Sequence, residues 1–314
     1  MRFIQLVLFV LLLFAAAPSR SADNGDHSAN GRAVSNYDTS RIVSIGGSIT
    51  EILYALGMQQ KIVAVDTTSL YPESALREKP NVGYMRQLSP EGVLALSPTL
   101  ILAIEGSGPK ETIDVLERAK IPFTLIPDKF TGDGIIEKIG VISRDVGAGE
   151  RGECLAREVR SDLAALEAMR ERIHRRIKVA FLLSLANGRP MVSGRDTAAN
   201  GIIAMAGASN AFGDFVGYKP INDEAFAAAN PDAVLVMQRG EHALSADVVF
   251  SEPGLAMTAA AKRNNLISMD GLYLLGFGPR TARAARDLAK RLYPNIDGVA
   301  LPSELTSEQS SCDQ

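Results

Sequence analysis

The chain has 314 residues, of which 46% are hydrophobic, with 33 basic and 36 acidic side chains and two cysteines. A chain of this length can bury two cores of ordinary domain size. Its slightly acidic balance gives no ground for nucleic-acid binding, and the far-apart Cys154 and Cys312 are compatible with a disulfide without indicating one. In chain order, Arg2 precedes an apolar run from Phe3 to Ala17, broken only by Gln5, and Pro18 and small residues up to Ala22 follow. This pattern predicts a secretory signal peptide over 1–22. A membrane anchor is the rival reading, but the run falls short of the roughly 20 apolar residues that span a bilayer. No cysteine follows the run, which speaks against a lipoprotein. Removal of the segment takes away Arg2 and Arg20 and leaves a net charge of about −5. Residues 23–40, rich in Asn, Ser, Asp and Gly, are expected as a disordered leader, and 295–314, rich in Ser and Glu, as a disordered tail.

From Arg41, short β-branched runs alternate with helical patterns: RIVSIG, ITEILYALG, KIVAVD, PEGVLALSP, TLILAI, KETIDVLERA and IPFTLIP. This is the βαβ rhythm of a small doubly wound sheet. A second series starts at KVAFLLSL and runs through TAANGIIAMAG, DEAFAAANP, DAVLVM and NLISMD to a helix from about Pro279 to Leu292. Between the two, residues 149–176 carry no Gly or Pro after Gly152 and predict one long connecting helix. The expected fold class is α/β, with two Rossmann-like lobes (41–148 and 177–294), small mostly parallel sheets and a backbone helix joining them. A continuous helix resists bending, so the expectation is small lobe motion and a preformed groove. A surface helix within one large domain is the alternative.

An internal echo favours two lobes. Ser89 to Pro98 leads into TLILA, and Asn222 to Pro231 leads into DAVLVM. Both stretches place a glutamate in the first turn of a short helix that ends at Pro before a strand, so Glu91 and Glu224 should occupy equivalent places. Acidic residues favour helix N-termini in any case, by about 0.3–1 kcal/mol, which could account for either one alone.

RIVSIGGSITEILYALG, NVGYMRQLSPEGVLALSPTLIL, GYKPINDEAFAAANPDAVLVM and GFGPRTARAARDLA resemble the periplasmic haem-binding proteins of bacterial haem ABC importers. These belong to a helical-backbone class that also holds cobalamin- and ferric-siderophore-binding proteins. The resemblance spans Arg41 to Pro294. It implies a periplasmic, monomeric, non-enzymatic protein that carries haem b as transported ligand. Its partners would be an inner-membrane permease and ATPase, with an outer-membrane haem receptor system upstream. The tyrosine of the GYMR motif, here Tyr84, would be the axial iron ligand. The chemistry agrees, since ferric iron and phenolate oxygen are both hard partners. A free phenol with a pKa near 10 costs about 4 kcal/mol to deprotonate at pH 7 unless the metal and nearby positive charge assist. Arg86, two residues on, falls on the same side of an extended stretch. In related proteins lobe-matched glutamates dock on permease arginines, a role that would fall to Glu91 and Glu224.

Some relatives add a histidine from the loop after the first strand of the second lobe. Here that stretch reads LLSLANGRPMVSG, with Leu185 or a neighbour at that place and no histidine. Of the histidines present, His27 lies in the leader and His174 among connector arginines, whereas His242 follows a strand end and is the better candidate. Propionates would call for cationic donors, with Arg86, Arg239 and Lys219 as candidates. Met85, Met191, Tyr218, Tyr273 and Phe277 are candidate walls. The rival functions are binding of another iron or corrin chelate, and an exported enzyme. Against an enzyme, the chain has no GxSxG, HExxH or CxxC, and its SIGGS and EGSGP segments are not GxGxxG.

Overall fold

The computed structural model describes residues 37–186, 189–238, 244–296, 300–305 and 312. The expected signal peptide, nearly all of the leader with His27, and the candidates Arg239 and His242 lie outside the described residues. Among the described residues, no helix is long and apolar enough to cross a membrane.

The first lobe runs β1 (Ile42–Ile45), α1 (Gly47–Ala55), β2 (Ile62–Val65), α2 (Ser74–Glu78), α3 (Pro90–Leu94), β3 (Leu100–Ile104), α4 (Lys110–Arg118), β4 (Phe123–Ile126) and α5 (Gly132–Asp145). Its four strands are all parallel in the order β2-β1-β3-β4. The strand order reverses beside β1, and ligands of open α/β sheets bind outside the carboxyl ends of strands at such a point.

Helix α6 (Gly149–Arg170) follows and is 22 residues long, about 33 Å at 1.5 Å per residue. Its buried residues Gly152, Leu155, Ala156, Val159, Asp162, Leu166 and Met169 recur at helical spacing and define one core-facing stripe. The helix stops at Arg170 rather than continuing to 176. There the chain turns, with Arg172 and Ile173 donating back to Met169 and Arg170, and Ile173 packs against the bare backbone of Gly207.

The second lobe contains β5 (Lys178–Ala186), β6 (Arg189–Ser193), α7 (Ala198–Met205), β7 (Ser209–Asn210), β8 (Tyr218–Pro220), α8 (Asp223–Ala229), β9 (Ala233–Gln238), α9 (Ala246–Phe250), α10 (Pro253–Ala256), α11 (Ala259–Lys262), β10 (Leu266–Asp270), α12 (Gly271–Leu275) and α13 (Thr281–Leu292). Its sheet is mixed. β10, β9, β5 and β7 pair in parallel, while β6 runs antiparallel to both β5 and β8. The stretch LLSLANGRPMVSG, expected as a loop, is therefore mostly two paired strands, and its Asn-Gly dipeptide is a strong hairpin signal in sequence.

Strand alternation decides where the cores sit. In the first sheet Val43, Ile45, Ile101 and Ala103 face an outer cluster with Val93, Ile113 and Leu116. In the second, Ala180, Leu182, Val234 and Val236 face an outer cluster with Phe226 and Val249. The opposite faces, Ile42, Leu100 and Leu102 of one sheet and Val179, Phe181 and Leu235 of the other, belong to one continuous core with α5, α6, α7 and α13. The two lobes thus share their central packing.

The tail differs from the disordered segment expected over 295–314. Leu301 is fully buried, and a last helical turn, α14 (Pro302–Leu305), lies against α6. Buried Asp162 of α6 accepts from the Ser303 amide at 3.0 Å and from the Ser303 hydroxyl, which in turn accepts from Arg283 at 2.8 Å. Farther on, Cys312 forms a disulfide with Cys154 of α6, with Cα atoms 5.7 Å apart. A polar, Ser-rich composition conceals these anchors, because the partners lie far away in the chain.

Candidate functional site

The carboxyl ends of β1 and β2 lead into loops held together by Asp66, which is fully buried. Its carboxylate accepts from the amides of Gly46 (2.9 Å) and Thr68 (3.0 Å) and from the hydroxyls of Thr68 and Ser69. Gly46 sits at φ +121°, where an added Cβ would fall 2.8 Å from that of Ile104, so the close approach of β1 to β3 at the crevice requires glycine.

The GYMR segment hangs from this scaffold. The Val82 amide donates to the Val65 carbonyl and the Thr67 amide to the Gly83 carbonyl, so the segment runs beside the exit of β2. Gly83, at φ +94° with its amide bonded to the Asn81 side chain (2.7 Å), turns the chain. A bond from the Gln87 amide to the Tyr84 carbonyl (2.7 Å) closes the turn, and reciprocal backbone bonds between Met85, Leu88 and Gly108 tie it to the loop after β3. The result is alternation: Met85 packs inward on the core, while Tyr84 (41% exposed) and Arg86 point to solvent.

On the second lobe, Tyr218 opens β8 opposite Ser193 of β6. Although 39% of Tyr218 is exposed, partial desolvation of its phenol raises it above the usual tyrosine range, with the positive charge of Arg86 and the Thr197 hydroxyl acting in the other direction. Arg86 belongs to the first lobe and Tyr218 to the second, and the Arg86 charge acts to lower the Tyr218 phenol. Met191, half-buried, pairs with Ser184 and Pro220 beside Tyr218. Lys219 is exposed and holds its ammonium 4.9 Å from the Phe215 ring centroid.

Two further wall candidates lie deeper, Phe277 in the core and Tyr273 with its ring centroid 5.2 Å from the Arg280 guanidinium at the lobe boundary. Phe277 is only 1% exposed and belongs to the shared core, so it is no open cleft surface; its apolar ring is consumed by packing. Tyr273 is half-buried and donates to Asp287 at 2.9 Å, and burial and that carboxylate push its phenol far above the ordinary range. Two surface hollows, of about 380 and 370 Å³, also lie away from the cleft. One is lined by Thr131, Arg160, Leu163 and Met205, the other by Arg172, His174, Leu292 and Ile296.

Glu91 and Glu224 do occupy matching places, one residue into α3 and α8. Each helix is capped by the residue two before its glutamate: Ser89 accepts from the Gly92 amide and Asn222 from the Ala225 amide. Each cap also donates to its glutamate, at 2.9 and 3.4 Å. Both glutamates are exposed, and the carboxyl of Glu91 is held below its usual range by its own backbone amide and by Ser89.

Sequence reasoning missed the polar floor between the lobes. Arg280, just before α13, forks onto Glu51 of α1 with two bonds of 3.0 Å and adds its backbone amide at 3.2 Å. Its guanidinium lies 3.5 Å from the Tyr71 ring centroid. Lys138 of α5 is fully buried beside them. One signal was available, because Lys138 interrupts the apolar stripe Ile135, Ile139, Ile142 at a core-facing position.

Comparison with known proteins places this architecture. In fold the chain is similar to the periplasmic heme-binding protein RhuT from Roseiflexus sp. RS-1 in its apo form, at 39% identity and a TM-score of 0.78, over 83% of this chain and 100% of that one. In sequence it is similar to an uncharacterised ABC transporter substrate-binding lipoprotein, YvrC, of Bacillus subtilis strain 168, at 27% identity over 86% of this chain and 85% of the relative. It is also similar to the vitamin B12-binding protein of Vibrio campbellii, at 28% identity over 69% of this chain and 76% of the relative. The periplasmic binding protein family matches residues 42–272, and with two lobes on one connecting helix the chain belongs to that family, the solute-binding proteins of ABC importers.

Proposed function

We propose that the chain captures haem in the cleft between its lobes and delivers it to an inner-membrane ABC importer, with Tyr84 as the iron ligand. One observation carries this reading: the Gly83 turn presents an exposed phenol and, two residues on, an exposed guanidinium. Phenolate is a hard donor suited to ferric haem, and a nearby arginine favours the charged phenolate. Haem propionates would find cations in Arg86 and Lys219, with Arg239 a further candidate by sequence. The 39% identity to a heme-binding protein supports this ligand. Glu91 and Glu224 would dock the loaded protein on the two permease subunits. Haem would arrive from an outer-membrane receptor system, and the carrier would act as a periplasmic monomer.

Cobalamin is the second reading, favoured by the likeness to a vitamin B12-binding protein. Parallel titrations with hemin and cyanocobalamin decide between them. The haem reading expects a near-stoichiometric hemin complex with a tyrosinate charge-transfer band. Saturable cyanocobalamin binding without a hemin complex would replace it.

A further inference from the structure

Lys138 carries a charge at a fully buried position, a placement tolerated only when every donor is matched. Its ammonium has three protons and meets three acceptors: Asp128 at 2.7 Å, the Ser48 hydroxyl at 3.2 Å and the Phe277 carbonyl at 3.2 Å. Asp128 and Ser48 belong to the first lobe, and Ser48 lies at the start of α1 beside the crevice. Phe277 belongs to the second lobe and holds φ at +49°, a left-handed conformation that costs a non-glycine residue about 1–2 kcal/mol. Such strain persists where the surroundings over-determine it. Three residues on, Arg280 forks onto Glu51 of the first lobe. The segment 277–280 of the second lobe is thereby bonded to α5 at one end and to α1 at the other.

We infer that Lys138, with the Glu51–Arg280 pair, is a positioning tie that fixes the spacing of the two cleft walls. Widening the cleft would draw the Phe277 carbonyl from Lys138 and leave a buried ammonium short of an acceptor, so the tie resists small displacements as well as large ones. The inference concerns the width of the cleft and stands whatever the ligand.

The test uses the full-length exported form with spin labels on Val115→Cys and Val248→Cys. Both sites are exposed, at 43% and 50%, on α4 of one lobe and α9 of the other, while Cys154 and Cys312 are bonded to each other. Lys138→Met removes the charge and keeps much of the volume. Asp128 is 24% exposed and can turn to water, but the buried Ser48 hydroxyl and Phe277 carbonyl lose their donor, so some loss of stability is expected and the control must match it. Phe226→Leu, in the second lobe's own outer core, is the control for destabilisation alone. The expected result is an interlobe distance distribution that broadens and shifts outward in Lys138→Met and matches the parent in Phe226→Leu. A parent-like distribution in Lys138→Met, or equal broadening in both variants, would overturn the tie. Should Lys138→Met not accumulate as folded protein, Arg280→Lys at the partly exposed end is read by the same criteria. Hemin should also leave Lys138→Met faster than the parent. A parent that binds no hemin would sink the haem reading and leave the distance result standing.

Discussion

Phe277 meets Phe130 edge to face, with ring centroids 5.3 Å apart and planes at 66°, so the aromatic ring after α12 closes the shared core against the loop that precedes α5. Replacing Phe277 by Leu keeps an apolar side chain and loses this ring pair and some volume. Thermal melts should show a loss of about 1–3 kcal/mol, below the about 3–5 kcal/mol typical of Phe→Ala. An unchanged midpoint would contradict its burial.

Tyr84→Phe keeps the exposed ring of the GYMR turn and deletes only the oxygen. On the haem reading, the charge-transfer band disappears and hemin affinity falls at least about tenfold, equivalent to about 1.4 kcal/mol. Spectra and affinity that match the parent would move the ligand elsewhere, with His242 tested next.

Arg86 lowers the titration point of Tyr218 while burial raises it. Arg86→Ala removes only the lowering influence, so the Tyr218 phenol should titrate at still higher pH than in the parent. NMR of ring-labelled tyrosine, assigned through Tyr218→Phe, follows this directly. No displacement of the Tyr218 curve would mean that the two residues do not face each other.

The matched glutamates should separate binding from delivery. Glu91→Ala combined with Glu224→Ala should leave hemin titrations intact and impair stimulation of the importer's ATPase in reconstituted membranes. Exposed ion pairs are worth about 0–1 kcal/mol each, so the effect should show in the double change and at moderate ionic strength. Glu117→Ala with Glu153→Ala, both exposed and without the paired placement, gives a charge-matched control. Transport equal to that of the parent across ionic strengths would end the docking assignment.

The tail anchor has its own signature. Cys312→Ser frees the end of the chain, and because the bond closes a long loop the loss should be about 2–5 kcal/mol in thermal stability, with hemin affinity unchanged. A reductant titration of the parent should reproduce the shift, whereas a parent insensitive to reductant would speak against the bond.

The two series of strands and helices, the connecting helix and the matched glutamates could be read from the sequence because each rests on local information, namely periodicity, caps and punctuation. The outward placement of Tyr84 and Arg86 is expected from an extended stretch, whereas the structure reaches it through a turn closed by the Gln87 amide on the Tyr84 carbonyl. What stayed hidden depends on partners distant in the chain. Lys138 finds Phe277 139 residues away and Glu51 finds Arg280 229 residues away, and no local pattern announces either bond. Phe277 was misplaced because an aromatic residue near a strand end reads the same whether it lines a cleft or plugs a core. The pairing of β5 with β6 overrides the loop expectation because the Asn-Gly dipeptide between them is a hairpin signal.

The shared core also bears on how such a protein can change over generations. Either half cut away at α6 would expose the inner face of its sheet, a broad apolar surface of Ile42, Leu100 and Leu102 or of Val179, Phe181 and Leu235, and would be prone to aggregate. The halves are therefore inherited as one piece, and exchanging a lobe between relatives means refitting two faces at once. The rim carries no such burden, since the GYMR turn and β8 touch the interior through few side chains. If cargo is held at the rim, as proposed, a change of cargo is open to single substitutions there, while the packing beneath stays as it is.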